Sequence, residues 1–296
     1  SVVQACRRPP CVERPTFDSR HKGRRMSEVP LLIIAFALGA SVGSFLNVVA
    51  DRLPEGQSLV RPRSHCPSCK RPVPSSELVP ILSYLWLRGK CRECGAPIPQ
   101  RILWVEIGTG VLFTIVYSRF GLSLEFVVLT AAVSALFVIA IIDIEHRLIL
   151  NRIVLPIAVV LLALSPFWSV LGLDRPFLGN LGMAAASANS LLAGLGAFLL
   201  FLIIALVYPA GMGGGDVKLA GLLGLLIGFP GVMLAIWGAV VGGGLVAIAL
   251  LALRRKGRKD AIPFGPFLSL GGIVVLLGGS DVIDAYQSFL DSFAGV

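Results

Sequence analysis

Two aspartates lie in apolar surroundings where a carboxylate is costly to keep. Asp143 follows the apolar run 131–142, and Asp216 closes the glycine run 213–215. A charged side chain at membrane depth is expensive, so an intramembrane carboxylate indicates a functional site by default. Two carboxyl groups that share one proton can supply the acid and the base that split a peptide bond. Asp143 and Asp216 are therefore the candidate catalytic pair.

Each aspartate also has a simpler explanation. Asp143 is close in sequence to Glu145, His146 and Arg147, which is typical of an ordinary helix end at a membrane interface. Asp216 has the chemistry of a helix N-cap, since aspartate accepts hydrogen bonds from free backbone amides there. The preceding glycines favour more than a cap, because residues without side chains let an extended substrate backbone approach the carboxylate.

Four further residues are candidates to bind substrate or to support the pair. Gly213 and Gly215 would leave room for the substrate backbone. Lys218 either tunes the two carboxyl groups or extends to the membrane interface. Glu106 is another intramembrane carboxylate, and it serves either a helix-packing hydrogen bond or the substrate site. The glycine run does not indicate a dinucleotide, because no strand precedes it.

Four cysteines form two C-x-x-C pairs, Cys66 with Cys69 and Cys91 with Cys94. Four thiolates in this spacing can surround a zinc ion tetrahedrally and so fold a loop too small for its own core. Two disulfides and a redox centre are the alternatives. Disulfides are disfavoured because the surrounding charge places the loop in the cytoplasm, where thiols stay reduced. We expect structural zinc.

The composition is that of a membrane protein. The 296 residues are 55% hydrophobic and 15% charged, with a mean hydropathy of +0.84; soluble domains carry about 25% charged residues. The apolar residues are clustered in long runs, and a bilayer is crossed by about 20 residues. We predict an all-α polytopic membrane protein with about eight transmembrane helices and a cytoplasmic zinc-ribbon-like loop. The predicted spans are 31–49, 102–117, 122–142, 153–173, 190–208, 216–227, 231–253 and 266–277.

The net charge of +9 reflects how the chain is oriented in the membrane. Lysine and arginine are concentrated in 52–101, at Arg147 and Arg152, and in 254–259, and such clusters between spans mark cytoplasmic loops. We therefore expect no nucleic-acid partner, both aspartates toward the cytoplasm, and both termini outside. The span that starts at Asp216 has 12 residues and covers only about 18 Å of a hydrocarbon core about 30 Å thick. It should begin inside the membrane, in a cavity that water can reach.

Four regions are expected along the chain. Residues 1–25 are basic and precede Met26, which we interpret as the native start, so they are expected to be an upstream or non-native extension. Residues 26–50 hold the first span, and 51–101 form the cytoplasmic cysteine-rich loop. The transmembrane catalytic domain covers 102–296. Cys6 and Cys11 lie in the extension and are given no role.

Several motifs in order resemble the type IV prepilin peptidase family, the leader peptidase/N-methyltransferases of bacterial pilus and type II secretion systems. The motifs are Gly43-Ser44-Phe45-Leu46-Asn47, Arg52-Leu53-Pro54, both cysteine pairs, Pro80 with Ser83-Tyr84, Val105-Glu106, Ile142-Asp143, Gly213-Gly214-Gly215-Asp216 with Lys218, and Ile262-Pro263-Phe264-Gly265-Pro266. The resemblance covers nearly the whole chain from Met26.

The resemblance implies an aspartic membrane protease of the bacterial inner membrane, with Asp143 and Asp216 as its catalytic pair. Its substrates would be prepilin or pseudopilin precursors, cut on the cytoplasmic side after the glycine that ends a basic leader. The cysteine-rich loop favours the bifunctional form, which methylates the new N-terminus with S-adenosylmethionine. One departure is Leu150-Asn151, where family members often have Pro-Asp.

Two other classes of protein share some of these features. Helices broken by glycine and proline and intramembrane carboxylates also mark ion-coupled secondary transporters, although the sequence contains no inverted repeat. A zinc-ribbon membrane scaffold would need the cysteines and not the aspartates.

Overall fold

The computed structural model describes residues 25–167, 183–209, 212–253 and 263–294. The expected extension, apart from Arg25, lies outside these residues, as do most of the predicted outer loop after the fourth span and the basic loop that begins at residue 254. Within the described residues the chain is helical, with two isolated β-bridges and no strand. The all-α prediction is confirmed.

Nine α-helices follow one another along the described chain. They are α1 Arg25–Arg52, α2 Leu82–Trp86, α3 Gln100–Phe120, α4 Leu124–His146, α5 Asn151–Leu164, α6 Met183–Val207, α7 Gly214–Ile227, α8 Gly231–Ala252 and α9 Gly265–Ala294. Single 3-10 turns occur at Ser75–Glu77 and Ser165–Phe167.

Five helices among the described residues are long and apolar enough to cross a membrane. They comprise Val29–Arg52, Gln100–Phe120, Leu124–His146, Ala184–Val207 and Gly231–Ala252. Two shorter apolar helices, Asn151–Phe167 and Gly265–Gly279, lie where further spans are predicted. The polytopic architecture is confirmed, and the number of eight spans stays a prediction.

Small residues let the helices pack closely, as is usual in membranes, where van der Waals contact drives association. At Gly39 a Cβ atom would lie 2.6 Å from the carbonyl oxygen of Thr109, so only glycine allows α1 this close to α3. At Gly224 a Cβ atom would lie 2.4 Å from the carbonyl oxygen of Ala193, which fixes α7 against α6. The helix α9 packs on both α4 and α7, and so relates the two helices that carry the aspartates.

Two predicted helix ends need correction. The helix α7 begins at Gly214 and not at Asp216, so Gly213 is the N-cap residue and Asp216 lies in the first turn. Its 14 residues span about 21 Å at 1.5 Å per residue, which is still less than the hydrocarbon thickness. The helix α5 ends at Leu164, short of residue 173, and its last turn tightens to a 3-10 turn at Ser165–Phe167.

Candidate active site

Asp143 lies in the last turn of α4 and is buried, with 6% of its surface exposed. The helix ends just after it because Arg147 adopts a left-handed conformation, with φ of +54°, and donates its backbone N–H to the carbonyl of Asp143. The carboxyl oxygen Oδ2 is buried and accepts no hydrogen bond from the described residues. A buried acceptor without a partner is costly, so this oxygen is available to a proton, a water molecule or a substrate.

Asp216 lies in the first turn of α7 and is half-buried. Its carboxyl oxygen Oδ2 accepts a hydrogen bond from the backbone N–H of Gly213 at 3.3 Å. A side chain of the first turn therefore caps the N-terminus of its own helix. Ile149 contacts both sites: it lies against Gly215, the neighbour of Asp216, and against Gly265, which adjoins Asp143. The structure therefore places the two carboxyl groups that the sequence singled out around one shared residue, at the same end of the helices.

Gly265, the first residue of α9, lies directly against Asp143, and the sequence analysis did not name it as a site residue. A Cβ atom there would lie 2.6 Å from Oδ2 and 3.0 Å from Cγ of Asp143, and the backbone of Gly265 interacts with the carboxyl group. In the sequence, the only indication of a role for Gly265 was the motif around Pro263 and Gly265. That motif was identified through the family resemblance and not from its chemistry.

The two glycines proposed to admit substrate have different surroundings. Gly213 is exposed, and a Cβ atom there would meet only the carboxyl group of Asp216 and the backbone of Gly215. At Gly215 a Cβ atom would lie 2.8 Å from the Cβ atom of Ile149. Gly215 thus permits close packing against the α4–α5 connection, and only the surroundings of Gly213 leave open space.

Lys218 forms a hydrogen bond with a side chain of α5. Its Nζ donates to the Oδ1 atom of Asn151 at 2.8 Å, which links the first turn of α5 to α7. Asn151 is the position at which the chain departs from the family pattern, and the residue there still accepts a hydrogen bond. Because the partner is a neutral amide, the lysine charge is not neutralised by it.

Glu106 is 4% exposed in α3, and its Oε2 accepts the backbone N–H of Ile81 at 2.7 Å. Ser44 of α1 also contacts this carboxyl group. Of the two roles left open by the sequence, the structure shows packing hydrogen bonds, to the cysteine-rich loop through Ile81 and to α1 through Ser44.

An ion-pair network at the same end of the bundle was not predicted. Arg101 of α3 donates through Nη2 to Asp51 of α1 at 2.6 Å and through Nη1 to Glu145 of α4. Glu145 is two residues beyond Asp143, so the network ties the end of the helix that carries Asp143 to α1 and α3. The paired residues are 44 and 50 positions apart in sequence, so no local pattern indicated these contacts.

The four cysteines form a compact cluster in which all Sγ atoms lie within 4.8 Å of one another. The Sγ atoms of Cys66 and Cys94 are 3.8 Å apart, close to the edge of a tetrahedron with zinc–sulfur bonds of about 2.3 Å. All four thiols are free. The residues therefore fit a tetrahedral zinc ion and do not form the alternative disulfides.

Each cysteine pair lies in the same kind of tight turn. The backbone N–H of Lys70 donates to the carbonyl of Cys66, and that of Gly95 donates to the carbonyl of Cys91. Both Lys70 and Gly95 have positive φ. The backbone N–H groups of Cys69 and Ser68 lower the pKa of Cys66 to about 6, which favours the thiolate that a metal needs.

Replacing Cys69 by serine is expected to remove bound zinc from the purified protein. The loop should then become sensitive to proteases, because a ribbon of this size has no core to hold it without the metal. Zinc content by mass spectrometry and limited proteolysis measure the two effects. Cys6→Ser is the matched control and should keep the metal. Equal zinc content in wild type and Cys69→Ser would contradict the assignment.

The fold and the site together define a multi-pass membrane protein in which two carboxyl groups lie at the ends of apolar helices and a loop carries a four-cysteine cluster. Residues 37–120 match the bacterial peptidase A24 N-terminal domain, and residues 130–248 match the type IV leader peptidase family. The second match contains both Asp143 and Asp216. This chain belongs to the type IV leader peptidase family.

Similar proteins are named prepilin leader peptidase/N-methyltransferase. The protein of that name from Bacillus subtilis is 34% identical over 259 residues, which is 86% of this chain and 98% of the relative. That from Pseudomonas aeruginosa is 31% identical over 281 residues, covering 87% of this chain and 94% of the relative. No solved structure matches the chain.

Proposed function

We propose that this protein is an aspartic endopeptidase that removes the basic leader from type IV prepilin-like precursors and then methylates the new N-terminus. Its place in a peptidase family and the names of its relatives support prepilins as substrates. The observation that supports the aspartic mechanism is the placement of Asp143 and Asp216, which come from different helices 73 positions apart. Gly215, next to Asp216, and Gly265, against Asp143, both lie on Ile149.

Hydrolysis of a peptide bond would follow from a close approach of the two carboxyl groups. Two carboxylates at close range cannot both ionise readily, so one keeps its proton. The charged member accepts a proton from a water molecule as its oxygen attacks the scissile carbonyl, and the neutral member donates its proton to the carbonyl oxygen. Collapse of the tetrahedral intermediate breaks the C–N bond, and a proton passes to the leaving amine. The pair ends with one proton, ready for another cycle.

The substrate would reach the pair from the cytoplasmic side. Arg101, Arg147 and Arg152 lie near the ends of the helices that carry or adjoin the site, and such basic clusters face the cytoplasm. The exposed backbone at Gly213 leaves space beside Asp216 for an extended peptide. We propose the bacterial inner membrane as the location, with residues 102–296 as the catalytic domain and the cysteine-rich loop, 51–101, as a cytoplasmic unit held together by zinc.

A cavity of about 600 Å³ between the end of α1 and the cysteine-rich loop is the candidate site for the methyl donor. Its lining includes Arg52 and Arg63, which can pair with a carboxylate, and apolar side chains that can cover an adenine. No acidic residue lines it to accept ribose hydroxyls or to balance a sulfonium cation. The cavity fits S-adenosylmethionine only in part, so the proposed methylation rests on the relatives and no donor site is assigned.

The proposal is tested with a synthetic peptide that carries a basic leader, a glycine and an apolar helix. Purified protein in detergent should cut it after the glycine, and S-adenosylmethionine should add the mass of a methyl group to the new N-terminus. Mass spectrometry reads both products. A peptide with valine in place of the glycine is the matched control. If folded protein left both the glycine peptide and the valine control intact, the proposal would be overturned. An ion-coupled transporter, which the relatives do not favour, would then be the better explanation.

Replacing Lys218 by methionine is expected to lower the cleavage rate by less than about tenfold, because its hydrogen bond to Asn151 supports the geometry of the site only indirectly. Stability should fall by about 1 kcal/mol, the net contribution of a typical hydrogen bond. Cleavage kinetics and thermal unfolding report these changes. A loss as large as that of an aspartate variant would show that the lysine takes part in the chemistry.

A further inference from the structure

A short stretch between the two cysteine pairs exposes several large apolar side chains. This apolar segment, residues 78–86, contains α2 and its preceding turn. Leu82 is 65% exposed, Leu85 60% and Trp86 88%, and Leu78 and Val79 are also exposed. An apolar patch of this kind on a loop marks an interaction surface. The loop in which it lies was expected to stand wholly outside the bilayer.

The depth of the segment is set by its bond to α3. The backbone N–H of Ile81 donates to the carboxyl group of Glu106, a buried residue of α3. Glu106 is six residues beyond Gln100, where α3 begins, or about 9 Å along the helix axis at 1.5 Å per residue. Trp104, 65% exposed, lies at nearly the same height on α3. The segment therefore lies beside a membrane-spanning helix, below that helix's polar end.

The backbone of the segment is suited to an apolar environment. Ser83, Leu85 and Leu87 each donate their N–H to a carbonyl within the same stretch. The N–H of Ile81 is satisfied by Glu106. Backbone polar groups in contact with lipid must be paired internally, and these are.

The backbone conformation of Ile81 indicates that the surrounding structure holds this residue against α3. Its φ of +63° is a conformation that a β-branched residue rarely adopts. Such a conformation costs free energy and persists only where the surroundings hold the residue in place. The buried carboxylate of Glu106 is the partner that offsets this cost. The bond therefore acts as an anchor for the segment.

We infer that the apolar segment is embedded in the cytoplasmic leaflet, with bilayer lipids as the partner of its exposed side chains. Leu82 and Leu85 contact acyl chains, and Trp86 lies at the headgroup level, where tryptophan is enriched. Arg88 and Lys90 follow at once and are exposed, so they face anionic headgroups. The apolar segment thus attaches the cysteine cluster to the cytoplasmic side of the membrane, the side from which a substrate would reach the carboxyl pair.

This inference does not depend on the peptidase activity, and fluorescence quenching tests it. The chain has four tryptophans; a variant that keeps only Trp86, with the others replaced by phenylalanine, is reconstituted into vesicles of phosphatidylcholine and phosphatidylglycerol. A nitroxide placed near the headgroup end of the acyl chains should remove more than half of the emission, and aqueous iodide should remove little.

The matched control moves the single tryptophan within the same loop. Val60 is 81% exposed and lies outside the apolar segment, so Val60→Trp in a background without other tryptophans should be quenched by iodide and not by the nitroxide lipid. Adding Glu106→Ala to the Trp86-only protein should raise its iodide quenching, whereas Glu106→Gln, which keeps an acceptor for Ile81, should change it less. Iodide quenching of Trp86 equal to that at residue 60 would overturn the inference. The inference would also be overturned if Trp86 became protected from iodide only after an apolar peptide was added. The partner of the apolar segment would then be the substrate and not the lipid.

Discussion

Replacing either Asp143 or Asp216 by asparagine is expected to reduce prepilin cleavage by at least about 10³-fold, since each change removes a positioned acid or base. Asparagine keeps the size of the side chain but can neither accept the proton of water nor deliver one to the carbonyl oxygen. The loss should appear in kcat at saturating peptide, because the substrate backbone is held by other groups.

The double variant gives a sharper expectation. If the two carboxyl groups act as one unit, replacing both should cost little more than replacing one, because members of a unit are strongly non-additive. Glu55→Gln is the matched control: this glutamate is exposed, accepts a hydrogen bond from Gln57 and stands outside the carboxyl pair and the Arg101 network, so it should change the rate only slightly. Losses that multiply in the double variant would contradict a shared-proton pair.

Replacing Gly265 by alanine is expected to lower cleavage by about 10²-fold, the effect of displacing a reacting group by about 1 Å. A Cβ atom there would lie 2.6 Å from the Oδ2 atom of Asp143, so either the carboxyl group or the start of α9 must move. Steady-state kinetics on protein of normal thermal stability measure the effect.

Gly278→Ala is the matched control in the same helix. A Cβ atom at that position meets nothing within 4 Å, and alanine in a helix interior is favoured over glycine by about 0.5–1 kcal/mol. It should leave the rate unchanged and stability equal or higher. A Gly265→Ala protein as active as Gly278→Ala would show that α9 does not set the position of Asp143.

The sequence was most informative where local chemistry conflicts with its surroundings. Asp143 and Asp216 could be singled out because a carboxylate in an apolar run is costly, and the four cysteines because their spacing matches a metal site. The all-α membrane fold followed from hydropathy. These signals depend on residues close together in sequence, which is why they could be read without a structure.

The contacts that position the site could not be predicted in this way. Gly265 reaches Asp143 across more than a hundred residues, and the bond between Ile81 and Glu106 depends on how the loop folds back onto α3. The start of α7 was misplaced by two residues because the carboxylate of Asp216 caps the helix from inside its first turn. In the first two cases tertiary packing decided the outcome, and in the third a hydrogen bond within one helix turn did. A linear pattern of residue types shows neither.

The most direct test of the aspartic mechanism is inhibition by a peptide with a hydroxyethylene group in place of the scissile bond. The tetrahedral hydroxyl would sit between the two carboxyl groups, where the hydrated carbonyl of the substrate forms. Transition-state analogues bind at least about 10²-fold more tightly than substrates. We expect that gain for the hydroxyl-bearing peptide, and no gain for the same peptide with a plain methylene group. Equal binding of the two peptides to the folded wild-type protein would contradict catalysis by the Asp143–Asp216 pair.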